Sequence, residues 1–276
     1  MPLLNNLIGG VRHRVNKLFH RPYRAFGIGW FEEKKWKHQK DNREVKQHVY
    51  KDRYTICFRD ASEFLVSVDE LFIKEFYKFR PQIDRPRIID CGSYIGTSIL
   101  YFKTNYPNAI VTGFEPDALN FALLQRNLEN WGFEDTTAVN AAVWIHNEGI
   151  SFNSAGNMSS RITGESAKAG MEKANTVRLR ELLNEPVDFL KIDIEGAELP
   201  VLKDCSDKLT NVRNLFIEYH GRYERSSDLN QILDILARNG FEYAIKDGGV
   251  IHARPFWDKD TDYEFDLLLN IFAFRP

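Results

Sequence analysis

Short apolar runs and stretches of helical spacing alternate along this chain from Arg87 onward, and that alternation carries most of what the sequence says about the fold. Runs of consecutive apolar residues bounded by polar or glycine positions predict strands at 87–91, 109–115, 137–143, 187–194 and 212–219. Between them, apolar positions recur every three or four residues, which predicts helices at 97–105, 117–130, 176–183, 198–209 and 227–238. Asp117 and Thr176 stand where the N-caps of the second and third helices belong, and Gly240 stops the last helix. Two more β runs, at 242–246 and 267–274, close the chain with no clear helix between them. Strand–helix alternation of this kind demands an α/β fold, a mostly parallel sheet with helices on both faces. The last strand is expected to be antiparallel.

Upstream of residue 87 the pattern is less regular. Leu3, Leu4, Leu7, Ile8, Val11, Val15, Leu18 and Phe19 lie at helical spacing with Arg12, Arg14 and Lys17 among them, although Gly9 and Gly10 weaken a helix there. The plain reading is an amphipathic helix docked on its own domain. The sharper one is a peripheral membrane or oligomer contact through residues 1–24. Residues 20–51 form a basic, aromatic-rich arm or cap. Arg53–Phe58 and Glu63–Val68 read as a hairpin, and Asp69 as the cap of a helix running to Tyr77, with Pro81 beyond it. The expected domains are therefore 1–80, an N-terminal extension of arm, hairpin and cap helix, and 81–276, the sheet domain.

Charge sharpens that division. The whole chain is near neutral, with a formal charge of −2, so it does not advertise a nucleic-acid partner. Residues 1–51 nevertheless carry a net +8 and the remainder −10. Three widely spaced cysteines give neither a disulfide framework nor a C-x-x-C site, which suits a reducing cytoplasm. No apolar run reaches the ~18 residues of a transmembrane helix, and no signal peptide is visible. The expected location is cytoplasmic, with the inner membrane surface as a peripheral option.

The candidate chemistry sits at the carboxyl ends of the predicted strands, where open α/β sheets bind ligands. The first strand runs into RIIDCGSYIGT, Arg87–Thr97, an acid followed by two glycines and a helix N-terminus. The spacing D-x-G-x-x-x-G is not the G-x-G-x-x-G of a dinucleotide site. A carboxylate there repels a pyrophosphate but accepts hydrogen bonds from an ammonium. S-adenosylmethionine (SAM) carries an amino acid moiety and no phosphate. Glu115, after the second strand, suits ribose hydroxyls of any adenosine ligand. The remaining strands end in Asn140, in Asp193 with Glu195, and in Glu218 with His220. Strand alternation would put Lys191, Asp193 and Glu195 on one face, either as an internal ion pair or with Asp193 facing a reacting centre. A histidine beside an acid at a sheet rim is a candidate proton acceptor. Asp193, Glu195, Glu218 and His220 could also hold a divalent cation, but nothing in the spacing requires one, and no metal is assigned.

DCGSYIGTS, GFEPD at 113–117, NAAV at 140–143, and VDFLKIDIEGAE followed by IEYH resemble the FkbM family of SAM-dependent methyltransferases over roughly residues 65 to 220. The resemblance implies a Rossmann-like class I methyltransferase fold and O-methylation, often of sugar or polyketide hydroxyls. By motif position it places Asp90, Gly92, Gly96 and Glu115 on SAM. Ser93 and Tyr94 stand where the family usually has Ala and Asn. The resulting expectation is a SAM-dependent O-methyltransferase acting on a hydroxyl of a sugar, glycan or glycolipid precursor. Asp90, Gly92, Ser93, Tyr94, Gly96, Glu115, Asn140 and Asp193 would form the cofactor site, with His220 as base, Glu218 orienting it and Asp193 positioning the acceptor. The alternatives are an NAD-dependent oxidoreductase, or a catalytically silent binding protein recruited through the basic arm.

Overall fold

A computed structural model describes residues 22–38, 44–153, 161–162, 172–249 and 265–275, together with His252, Arg254, Phe256 and Trp257. They fall into two compact units, the first ending at Phe76 and the second beginning at Tyr77. The expected helix over 3–19 lies outside the described residues. Among the described residues no helix is long and apolar enough to cross a membrane.

The first unit contains helix α1 (Trp30–His38), strands β1 (Lys46–Tyr50) and β2 (Tyr54–Phe58), and helix α2 (Ala61–Val68). The hairpin is real but shifted. β2 pairs with the upstream β1, antiparallel from Lys46↔Phe58 to Tyr50↔Tyr54, and the expected second strand at Glu63–Val68 is helical. Two forces overrule its β-branched composition. The Asp60 carboxylate caps the helix by accepting from the Ser62 and Glu63 N–H groups, and Phe64, Leu65 and Val68 bury one face. Asp69 accordingly follows α2 rather than opening a helix, and the expected helix to Tyr77 is a single π turn, Asp69–Ile73. The aromatic residues of this segment form its core, with Phe26 stacked on Tyr50 at 4.2 Å and Phe58 on Phe64 at 4.1 Å.

The second unit is the α/β domain. In chain order it runs β3 (Arg87–Cys91), α3 (Thr97–Asn105), β4 (Ile110–Phe114), α4 (Ala118–Trp131), β5 (Thr136–Val139), β6 (Ala142–Trp144), β7 (Ile150–Asn153), β8 (Arg161–Ile162), β9 (Glu172–Ala174) and β10 (Thr176–Arg178). It continues with α5 (Leu179–Leu182), β11 (Val187–Ile192), α6 (Glu198–Asp204), β12 (Val212–Gly221), α7 (Ser227–Arg238), β13 (Glu242–Gly249) and β14 (Leu267–Phe274). Seven of these strands form one sheet in the order β13-β14-β12-β11-β3-β4-β5. The five strands from β12 to β5 are parallel; β14, the last strand, is antiparallel as expected and inserts between β12 and β13. The chain winds outward one way from β3 and the other way from β11. The crevice above those two strands is therefore the topological switch point.

Three expected elements differ. The strand at 137–143 breaks at Asn140, and β6 leaves the main sheet to pair in parallel with β10. Thr176 consequently opens a strand instead of capping a helix, and its hydroxyl accepts the Gly149 N–H at 2.9 Å. The helix at 198–209 ends at Asp204 and continues as a 3-10 turn, Ser206–Asn211. Every residue of β11 is buried, the signature of a central parallel strand. Its Leu190 and Ile192 join Ile89, Leu202 and Ile217 on one face, while Phe189 meets Tyr77, Phe79 and Phe102 on the other.

Candidate active site

The turn after β3 is shaped by what the chain itself must approach. Gly92 has φ +89°, and a Cβ there would land on the backbone carbonyl of Asp193. Gly96 also has φ +89°, and a Cβ there would meet Leu124 and Trp131 of α4. Asp90 lies fully buried beneath this turn. Its carboxylate accepts the Ser93 hydroxyl at 2.9 Å and the Ser98 hydroxyl at 2.5 Å, and the Lys191 ammonium stands at 3.3 Å. Ser93 thus anchors the turn from below, and Tyr94 crosses it in the left-handed region at φ 48°.

The Tyr94 N–H donates to Glu115 Oε2 at 2.8 Å, and the Asp117 N–H donates to Oε1 at 2.9 Å. Burial pushes the Glu115 carboxyl up to about 8, against the pull of these two N–H groups and with the Asp117 charge adding to the rise. Asn140, just past β5, is exposed and donates its amide to the carbonyls of Glu115 and Pro116. Pro116, Asn140, Trp144, Ile150 and Lys173 line a cleft of about 590 Å³ next to Glu115.

The second cluster gathers at the ends of β11 and β12. Lys191 holds Asp193 at 3.1 Å and donates to the Gly92 carbonyl at 2.5 Å, so it ties the β11 end to the β3 turn. Burial alone would lower its pKa, but Asp193 and Asp90 outweigh that and hold the ammonium well above its usual range. The expected strand at 187–194 ends at Ile192, so alternation does not align Glu195 with Lys191. Glu195 reaches the cluster through a turn instead, at φ 54°. There its carboxylate lies 3.4 Å from His220 Nε2, with Glu218 at 3.5 Å from the same nitrogen. On the other side of the ring, His220 Nδ1 meets Glu198 Oε1 at 3.1 Å, and that oxygen also accepts the Gly196 N–H. Glu198, more than Glu218, orients the imidazole.

Burial pulls the His220 pKa down, yet Glu195, Glu198 and Glu218 hold it well above its usual value. Burial and the neighbouring carboxylates push Glu195 up to about 9, with His220 opposing, and burial with Asp193 raises Glu218. Among the described residues, Asp193, Glu195 and His220 offer donor atoms that all lie within 4.8 Å of one another. Asp193, Glu218 and His220, all read from the sequence, are thus brought together. Glu195, which the sequence offers only as a possible cation ligand, joins them, and so do Lys191 and Glu198, which the sequence analysis does not assign to the site. Their signal was present in the strand-end segment KIDIEGAE, but only the turn at Glu195 and Gly196 shows which of its acids face inward.

Known proteins agree with this architecture. The FkbM methyltransferase domain matches residues 90–243, more than half of the chain. Methyltransferase 1 of Beauveria bassiana is 26% identical over 218 residues, covering 68% of this chain and 82% of that protein. Methyltransferase sdnD of Sordaria araneosa is also 26% identical, covering 63% and 80%. Among solved structures, the FkbM methyltransferase from Methylobacillus flagellatus KT superposes with a TM-score of 0.51 at 18% identity. It covers 76% of this chain, which in turn spans about half, 48%, of that relative. The sheet order, the acids at its carboxyl rim and the domain match converge: this chain belongs to the FkbM methyltransferase family.

Proposed function

We propose that the protein transfers a methyl group from SAM to a hydroxyl of a sugar, glycan or glycolipid precursor. The observation that carries the donor assignment is Glu115, a buried carboxylate one residue before Pro116, which lines the cleft together with Asn140 and Trp144. Each of its oxygens accepts one backbone N–H and keeps a lone pair for a ribose hydroxyl. The adenine would lie toward Asn140 and Trp144. The methionine end would follow the Gly92–Gly96 turn toward Asp193, whose carboxylate suits the ammonium. Asp90 supports that turn through Ser93 and Ser98 rather than touching the donor.

The acceptor oxygen would lie against Glu195, Glu218 and His220. Its lone pair attacks the methyl carbon in line with the C–S bond, whose electrons remain on sulfur. The hydroxyl proton passes to this group of side chains. The enzyme's contribution is alignment and proton removal. An acidic rim favours acceptors that donate hydrogen bonds, as carbohydrate hydroxyls do, over phosphates or carboxylates.

Calorimetry with S-adenosylhomocysteine tests the donor site, with NAD as the control. Micromolar binding weakened at least tenfold in Glu115→Ala, with no heat from NAD, is the expected result. NAD binding, or binding that Glu115→Ala leaves unchanged, would overturn the donor assignment. Incubation with methyl-labelled SAM and hydroxylated acceptors, followed by mass spectrometry of the product, tests the acceptor class; label found on nitrogen would exclude O-methylation.

A further inference from the structure

We infer that the rim formed by β11, β12 and β14 holds a hard divalent cation, Mg²⁺ or Mn²⁺, through Asp193, Glu195 and His220 with Glu218 beside them. The role given to the ion rests on the methyl-transfer reading; the site itself does not.

The imidazole carries the first argument. A ligating histidine presents one ring nitrogen to the metal and donates the other N–H to a carboxylate, which fixes the tautomer. Glu198 occupies that second position at 3.1 Å from Nδ1, leaving Nε2 facing the carboxylates of Glu195 and Glu218. Those two contacts, at 3.4 and 3.5 Å, are longer than the 2.7–2.9 Å typical of a charge-assisted hydrogen bond. They suit ligands of a shared ion, since neighbouring donors on bonds of about 2.1 Å stand roughly 3 Å apart. Three carboxylates and one imidazole are also the donor types that hard divalent ions take.

The second argument is independent of that cluster. Asn270 on β14 is 1% exposed, yet neither its amide nitrogen nor its oxygen has a hydrogen-bond partner. It lies directly opposite Glu218 in the antiparallel register, on the sheet face where Phe216 meets Phe272 at 5.3 Å. A buried amide left without partners is destabilising, because its desolvation is not offset by hydrogen bonds. A hydrated ion beside Glu218 would bring it water molecules to bond, because Mg²⁺ keeps several of its own. The ion would also lower the pKa of an acceptor hydroxyl bound to it, and His220 would then serve as a ligand rather than as the base.

The test is a Mn²⁺ titration of the EDTA-stripped chain near neutral pH, with free Mn²⁺ read by electron paramagnetic resonance. One saturable ion per chain is expected, displaced by Mg²⁺ and weakened at least tenfold in Glu195→Gln and in His220→Gln. Circular dichroism checks each variant's fold. Glu195 lies in a turn, so Glu195→Gln carries the test if His220→Gln does not fold. No saturation up to about 1 mM Mn²⁺, or an affinity that Glu195→Gln leaves unchanged, would overturn the site. S-adenosylhomocysteine calorimetry on the same samples separates the two readings. Mn²⁺ saturation without nucleoside binding keeps the ion and removes the donor, and nucleoside binding without saturation does the reverse.

Discussion

Glu115 is the residue whose protonation should report on ligand binding. Burial holds its carboxyl at about 8, with Asp117 and Lys191 the charged groups that act on it. Ribose hydroxyls bond its ionised form best, so the ligand lowers that pKa and the chain releases a proton on binding below about pH 8. Affinity for S-adenosylhomocysteine should therefore rise as the pH climbs toward 8 and level off above it. Calorimetry at pH 7.5 in buffers of different ionisation heat should show the released proton, and Glu115→Gln should lose it. At the reacting end, His220→Ala should lower turnover by roughly 10²-fold or more while nucleoside binding survives. Unchanged turnover would remove His220 from the mechanism. Residue identities at this scale were legible because polar groups ended apolar strands. Their division of labour was not. Asp90 reads as a ligand from its place in the motif, yet Ser93 and Ser98, which surround it, are adjacent only once the turn has closed.

At the level of elements, Lys191 joins β11 to β3. Its ammonium lies between Asp90 and Asp193, all three largely out of water, so Lys191→Met would leave two acids without their countercharge. The expected loss is about 3–5 kcal/mol, visible as a lower unfolding midpoint in denaturant. Asp117→Ala, which removes the acceptor for the Leu119 and Asn120 N–H groups at the start of α4, should cost only about 1 kcal/mol. Asp117 was readable as a cap because Pro116 precedes it and a helical pattern follows. Glu63–Val68 reads as a strand because local composition favours one, and the cap at Asp60 that makes it helical lies outside the run. The break at Asn140 was invisible for a similar reason: β6 finds its partner in β10, more than thirty residues away.

At the scale of the molecule, the alternation of strand and helix was enough to reveal the mostly parallel sheet and its antiparallel last strand, because each parallel strand must be followed by a crossover; the insertion of that strand between β12 and β13 was not legible. All the residues proposed for the donor and the ion lie in the unit that begins at Tyr77. A chain starting there should fold and bind S-adenosylhomocysteine with unchanged affinity; failure to fold would show that the first unit is needed to complete it. The basic arm was legible only as charge. If it contacts anionic lipid, deleting residues 1–24 should abolish binding to anionic vesicles, and salt should weaken binding by the intact chain. The meeting of Gly92 with the Asp193 carbonyl also bears on how such a chain can diverge. A side chain at 92 fits only if the loop after β11 retreats, so the two loops cannot drift independently. Related sequences should keep glycine at 92 or change both loops together, and a lone Gly92→Ala exchange should reach descendants only alongside a second, compensating change near Asp193.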